Sequence, residues 1–312
     1  MPPGASAGMP AAAPGIARGR LPIAFLYAKA HARTATTFLR GEQLSAMVAA
    51  HHGARYDVSY THDIDAVRGA VVIVTKSALQ TWTPEAIAAL RDRNILAIGS
   101  WDDIQPMPAH VAALDAHMTL SLRQTHDLNR LYPGIPAHLV THHVNQRAGA
   151  RADAGALPAD RLRTAYFGDL VNTVRPEALA GMVDLVGINT AKVNDAWLDA
   201  LPRYNCHWIV RRWQPWNGWK PFLKGFVAAR CGAAVVVTRD DVDALHHLGD
   251  DYPFYADSLH APDLEMAMAR AVAGFGGAEW RLAQAIMAQV AARSSDAQVC
   301  AEFKAMIDAL TG

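Results

Sequence analysis

Four basic side chains crowd a stretch in which an apolar run, a loop and a helix-like pattern meet. Residues 207–255 read HWIVRR, WQPWNGWKPF, LKGFVAARCG and AAVVVTRDDVDALHHLGDDYPFY. Arg211 and Arg212 end the first apolar run, Lys220 sits in the loop, and Lys224 opens the helix pattern. Thr238 ends the next apolar run, just before Asp240 and Asp241. Strand, loop, helix and strand make a βαβ unit, and such units gather ligands at the carboxyl ends of their strands. The helix N-terminus brings free N–H groups and partial positive charge to the same edge. This chemistry calls for an anion and points to a diphosphate, with Arg211, Arg212, Lys220, Lys224, Thr238 and Asp240 as candidate contacts. Gly168, which ends another apolar run, completes that set. Two plainer readings stand beside it: the lysines as solvated surface cations, and the arginines as partners of Asp240 and Asp241.

Proton transfer needs a group poised near neutrality, and His31, Asp102 and His142 are the candidates. Asp102 lies just past an apolar run, where a turn carboxylate is the competing reading. Lys76 finishes the run VVIVT and Arg33 lies in the first loop, so both are candidates for lining a crevice on the acceptor side. His142 and His143 are adjacent, so on a strand their rings point to opposite faces and cannot ligate one ion. Asp63-Ile64-Asp65, the literal Asp-x-Asp match, falls in a loop-like segment. Neither a metal nor a cofactor is expected. The first loop, KAHARTATT, lacks the GxGxxG of dinucleotide-binding sheets. Trp213, Trp216 and Trp219 suit stacking on a sugar or base if Pro215 and Gly218 keep them in a loop, and packing otherwise.

The elements that must hold these groups alternate. Apolar runs at residues 23–28, 56–60, 71–75, 95–98, 118–120 and 139–141 predict strands, with helices at 38–51, from Thr83-Pro84 onward, and up to Leu131. A segment poor in apolar residues, 146–160, predicts a linker. Beyond it strands are expected at 163–167, 185–188, 207–212 and 233–238, with helices at 176–182, 194–201 and 221–230. Long amphipathic helices at 263–275, 278–292 and 296–310 close the chain. The fold class is therefore α/β: two Rossmann-like doubly wound domains, 21–145 and 161–292, facing a cleft, with C-terminal helices. Residues 1–20 read as a disordered Ala/Pro/Gly-rich tail without the apolar core of a signal peptide.

Composition narrows the class. Lys+Arg and Asp+Glu both number 29 among 312 residues, so the basic excess of a nucleic-acid binder is absent. Cys206, Cys231 and Cys300 are far apart and read as reduced small hydrophobes. No run reaches the roughly 18 apolar residues of a membrane span. The expected setting is cytoplasmic, with peripheral membrane contact left open.

The segment KPFLKGFVAARCGAAVVVTRDDV resembles the donor-binding βαβ unit of glycosyltransferases of the GT-B fold. RGEQ at 40–43, the VIVTK segment, THHVN, DYPF and the Phe275-Gly276-Gly277 turn with Trp280 extend the likeness over most of residues 21–312. It implies sugar transfer from a UDP- or GDP-linked donor to an acceptor held by the first domain, without a metal. It also implies that the last helix, 293–312, returns toward the first domain. Many retaining members carry two glutamates around this helix; alignment on Gly232 places Trp219 and Val227 there. Two alternatives stay open: a catalytically idle nucleotide-sugar binder, and another enzyme of this fold such as an epimerase.

Overall fold

The computed structural model describes residues 19–148, 157–189, 196–212 and 219–312. The first sheet comprises β1 (Leu21–Leu26), β2 (Tyr56–Thr61), β3 (Val71–Val74), β4 (Leu96–Ser100), β5 (Ala116–Thr119) and β6 (Ala137–Leu139). Their order is β2-β1-β3-β4-β5-β6, every pair parallel. Strand β3 reads VVIV and is buried along its whole length, as a strand covered by helices on both faces must be. Alternation divides the core. Ile23, Phe25, Val71 and Ile73 face one layer, and Ala24, Leu26, Val72 and Val74 face the other. The C-terminal helix Asp296–Thr311 supplies Val299, Phe303 and Ile307 to the first of these layers. There the Phe303 ring stacks on Phe25 with centroids 5.6 Å apart.

The second sheet comprises β7 (Thr164–Gly168), β8 (Val183–Gly187), β9 (Cys206–Trp208), β10 (Ala234–Thr238) and β11 (Tyr255–Ala256), in the order β11-β10-β9-β7-β8. Its pairs are parallel too. The expected α/β architecture of two sheets with interleaved helices is thus what the chain forms. In each sheet the chain lays down a strand, steps to one side, then crosses to the other. That reversal puts a switch point between β1 and β3 in the first sheet and between β7 and β9 in the second. Ligands in open parallel sheets bind outside the carboxyl ends at such points. No described helix is long and apolar enough to cross a membrane.

Three expected helices come out differently. Residues 176–182 form only a short 3-10 turn, Glu177–Leu179. Gly181 and the immediate start of β8 leave too few residues to nucleate an α-helix. The 194–201 helix is replaced by a 3-10 segment, Ala196–Arg203, that contains Pro202. Proline removes a donor and disfavours the α conformation in the residue before it. Residues 194 and 195 lie outside the described residues, as do 149–156 of the expected linker. The 221–230 helix starts late, at Leu223, with Phe222 as its N-cap; Pro221 is therefore outside the helix rather than at its first position.

Phe222 folds its ring back over Gly225. A Cβ at Gly225 would meet the ring at 2.1 Å. Phe222 is fully buried between Phe226 and His247, so the ring has nowhere to go. In a free helix Gly→Ala gains about 1 kcal/mol. Here overpacking at about 1–3 kcal/mol should win. Gly225→Ala is expected to lower the urea midpoint; an unchanged or raised midpoint would show that the ring can move aside.

Candidate active site

The two switch points face each other across a cleft of about 430 Å³. The loops after β1 and β3 supply His31, Thr34, Lys76 and Ser77 from the first domain. Those after β7 and β9 supply Asp169, Asn172, Lys220 and Lys224 from the second.

On the first-domain wall, Asp102 follows β4 in a left-handed conformation, φ +52°, the one positive φ among described non-glycine residues. Such backbone costs energy and persists only where surroundings enforce it. Here Gln124 Nε2 donates to the Asp102 carbonyl at 2.6 Å, and Ser100 Oγ donates to Oδ1 at 3.4 Å. The guanidinium Nε of Arg40 lies 3.8 Å from Oδ1, while Oδ2 has no partner. Burial pushes the Asp102 carboxyl up to about 6, with Arg40 and then Lys76 opposing the rise. Arg40 is itself 1% exposed and donates from Nη1 to the Val140 carbonyl at 3.2 Å. It reaches inward from a π-helical segment, Thr37–Gln43, whose Gln43 donates to the Val144 carbonyl at 2.9 Å. The wide turn thus presents both side chains to the segment that leaves the first domain.

His142 also lines the cleft. Its Nδ1 must donate to the His143 carbonyl, 2.7 Å away, which leaves Nε2 as the ring's acceptor. Burial first, then the charge of Arg40, pushes this imidazole down to about 3. His31 lies exposed at the rim, on the 3-10 turn Lys29–His31. Arg33 is exposed and does not line the cleft.

The second-domain wall is cationic. Lys224 stands in the first turn of the Leu223–Arg230 helix, with Nζ 5.2 Å from the centre of the Tyr166 ring. Gly168 makes room for it: a Cβ there would lie 2.9 Å from Lys224 Cε and 2.8 Å from the Tyr166 hydroxyl. Burial, then repulsion from Arg211 and Lys220, pushes the Lys224 ammonium down to about 7. Arg211 braces the lysines from behind. It donates to the Lys220 carbonyl at 3.4 Å and the Pro221 carbonyl at 2.5 Å, and its Nε lies 3.7 Å from Asp241. Arg212 is exposed, and its backbone N–H donates to the Asn172 carbonyl at 3.0 Å. Thr238 is buried and Asp240 exposed; neither lines the cleft. Thr238 ends β10 and Asp240 follows it, one strand removed from the switch point.

The domains meet through charges that sequence reasoning did not pair. Asp103 sits between Lys76 Nζ at 2.6 Å and Lys220 Nζ at 3.3 Å, one lysine from each side. Burial works against its charge, but the two ammonium groups outweigh it and hold the carboxyl below its usual range. Asp243, buried, accepts from the Leu122 backbone N–H at 3.0 Å and so caps a first-domain helix. Burial lifts its carboxyl to about 7, the Leu122 bond opposing. Trp219 donates its indole N–H to Asp127 at 2.8 Å across the same seam. Trp213 and Trp216 lie outside the described residues. Asp103, like Asp102, lies just past a strand end, but no periodicity points to its contact with Lys220 or to Asp243, because those partners lie in the other domain. Among the described residues no three His, Cys, Asp or Glu side chains gather to hold a metal.

No family model matches the chain, and no curated protein matches it. Solved structures do. A sucrose-phosphate synthase from Thermosynechococcus elongatus superposes with a TM-score of 0.57 at 13% identity, covering 93% of this chain and 99% of that one. A glycosyltransferase from Rickettsia africae gives 0.58 at 8% identity, over 94% and 99% of the two chains. Anabaena HepE, solved in complex with UDP and glucose, gives 0.55 at 10% identity, over 93% and 99%. At these identities the likeness is one of fold, and the chain has the GT-B fold.

Proposed function

We propose that the protein is a glycosyltransferase moving a sugar from a nucleotide-diphosphate donor, UDP- or GDP-linked, to an acceptor hydroxyl seated against the first domain. One observation carries this reading: a pair of lysines at the switch point of the second sheet and a buried carboxylate past β4 of the first sheet line a single cleft. The structural neighbour solved with UDP and glucose has the same fold and supports the donor class. In the reaction the acceptor oxygen bonds to the anomeric carbon as the bond from that carbon to the diphosphate breaks, and the electron pair leaves with the diphosphate. Lys220 and Lys224 stabilise the charge that develops there. The acceptor proton passes to Asp102. With a pKa near 6 it is ionised at neutral pH yet basic enough to accept, whereas His142, near 3, is a far weaker base. Attack by a separate acceptor on the face opposite the leaving group inverts the anomeric centre.

The test is to mix the protein with UDP- and GDP-sugars and candidate acceptors and to measure free nucleotide diphosphate. Acceptor-dependent release supports transfer; tight nucleotide binding without any release would identify a non-catalytic nucleotide-sugar binder. Because lysines rather than a divalent ion neutralise the leaving group in this reading, release should persist in EDTA. Loss on chelation with recovery on adding manganese would overturn the metal-independent mechanism.

A further inference from the structure

A second cavity, of about 440 Å³, opens at the opposite edge of the second sheet. Arg163 and Thr164 enter it where β7 begins, Asp184 from the start of β8, and Arg203 and Tyr204 from the turn before β9. It is therefore built from amino ends of strands, whereas the cleft lies at carboxyl ends. Three arginines, Arg161, Arg163 and Arg203, line it with one carboxylate, Asp184, which accepts from the Tyr204 hydroxyl at 2.9 Å, while Asp160 outside the lining lies 4.0 Å from Arg161. Arg163 pairs with Asp160 through Nη2 at 3.1 Å, but its Nε is buried without a partner. Arg203 has no ion-pair partner among the described residues. A buried donor left unpaired is costly, so it marks a place where a bound acceptor would be favoured. The remaining wall is apolar: Leu162, Met182, Met268 and Val272, of which Met182 and Val272 are 43% and 46% exposed.

We propose that this cavity binds a phosphate-bearing ligand with an apolar body. Planar guanidinium groups match phosphate oxygens in pairs, and flexible methionine side chains mould to an alkyl or acyl segment. The chemistry is shared by a soluble alkyl phosphate and by the headgroup of an anionic lipid. The site is separate from the donor cleft and does not depend on the reaction proposed there.

Titration with hexyl phosphate tests it, using wild type, the Arg163→Ala/Arg203→Ala double variant and Lys224→Ala. Wild type and Lys224→Ala should bind one equivalent alike, and the double variant should bind at least about tenfold more weakly, since two charge-assisted contacts are gone. UDP affinity should be unchanged in the double variant, which shows that it is folded and that the two sites are distinct. Flotation with phosphatidylglycerol and phosphatidylcholine vesicles separates the sources. Capture by the anionic vesicles alone, lost in the double variant, identifies a lipid headgroup; hexyl phosphate binding without capture identifies a soluble ligand. Hexyl phosphate affinity that is absent in wild type, or equal in wild type and the double variant, overturns the proposal.

Discussion

Replacing Lys224 by alanine is expected to weaken UDP or GDP binding by roughly 10- to 100-fold, because a charge-assisted contact is worth about 1.5–3 kcal/mol and about 1.4 kcal/mol is tenfold. The ammonium is wedged between Tyr166, Gly168 and the first turn of its helix, so it meets a ligand already oriented. The pH dependence gives a second readout. Burial and the neighbouring cations push the Lys224 ammonium down to about 7. A bound diphosphate raises that value, so binding takes up a proton wherever the free amine is neutral. Affinity in the wild type should therefore fall as pH rises above 7, by up to about tenfold per unit, and Lys224→Ala should flatten this profile. Stability runs the other way. A lysine whose folded pKa lies below its usual 10.5 costs stability in full below about 7, and none above 10.5. The alanine variant should thus melt no lower than wild type at pH 7. Calorimetric titration at several pH values decides the matter, and equal affinities with equal pH slopes would place the diphosphate elsewhere.

The second large effect is expected at Asp102. Asp102→Asn should reduce turnover by about 100-fold or more, the usual contribution of a positioned general base. Asparagine tolerates the left-handed backbone that this residue adopts, so the loop should keep its shape. UDP affinity should change little. Wild-type turnover should rise with pH through an apparent pKa near 6 and level off above it, since the carboxylate is the active form. The carboxyl's folded pKa of about 6 lies above its reference 3.8, so its contribution to stability is present below 3.8 and lost as pH rises through 6. Asp102→Asn also leaves the buried Arg40 guanidinium without its carboxylate, which opposes that gain, so turnover and not melting temperature is the readout for this variant. A variant that keeps wild-type turnover would assign the proton to another group, and His142→Ala measured alongside would tell which.

Much of the fold was legible in the chain. The runs that form β1, β3 and β10 are buried on both faces, so each reads as a continuous apolar stretch. The Thr83-Pro84 helix start was equally plain, and Thr83 does cap the Ala86 N–H. The 3-10 segments at Glu177–Leu179 and Ala196–Arg203 were not legible. Apolar spacing there resembles that of a helix, and only the neighbouring strand and Pro202 limit its length.

The site divides along the same line. Sequence alone placed Lys220 and Lys224 beside a helix start, and Asp102 past a strand end, because βα loops follow directly from where apolar runs stop. Tertiary structure decided which loops share a cleft. Strand order puts the loops after β7 and β9 at the switch point and leaves Thr238 and Asp240 one strand away. It also decided charge. Composition showed acids and bases in balance, but not that Asp103 lies between lysines of both domains, or that Arg40 is buried beside Asp102. Those pairings join residues 27 to 117 positions apart, and the pKa of each group depends on burial that only the packed fold supplies.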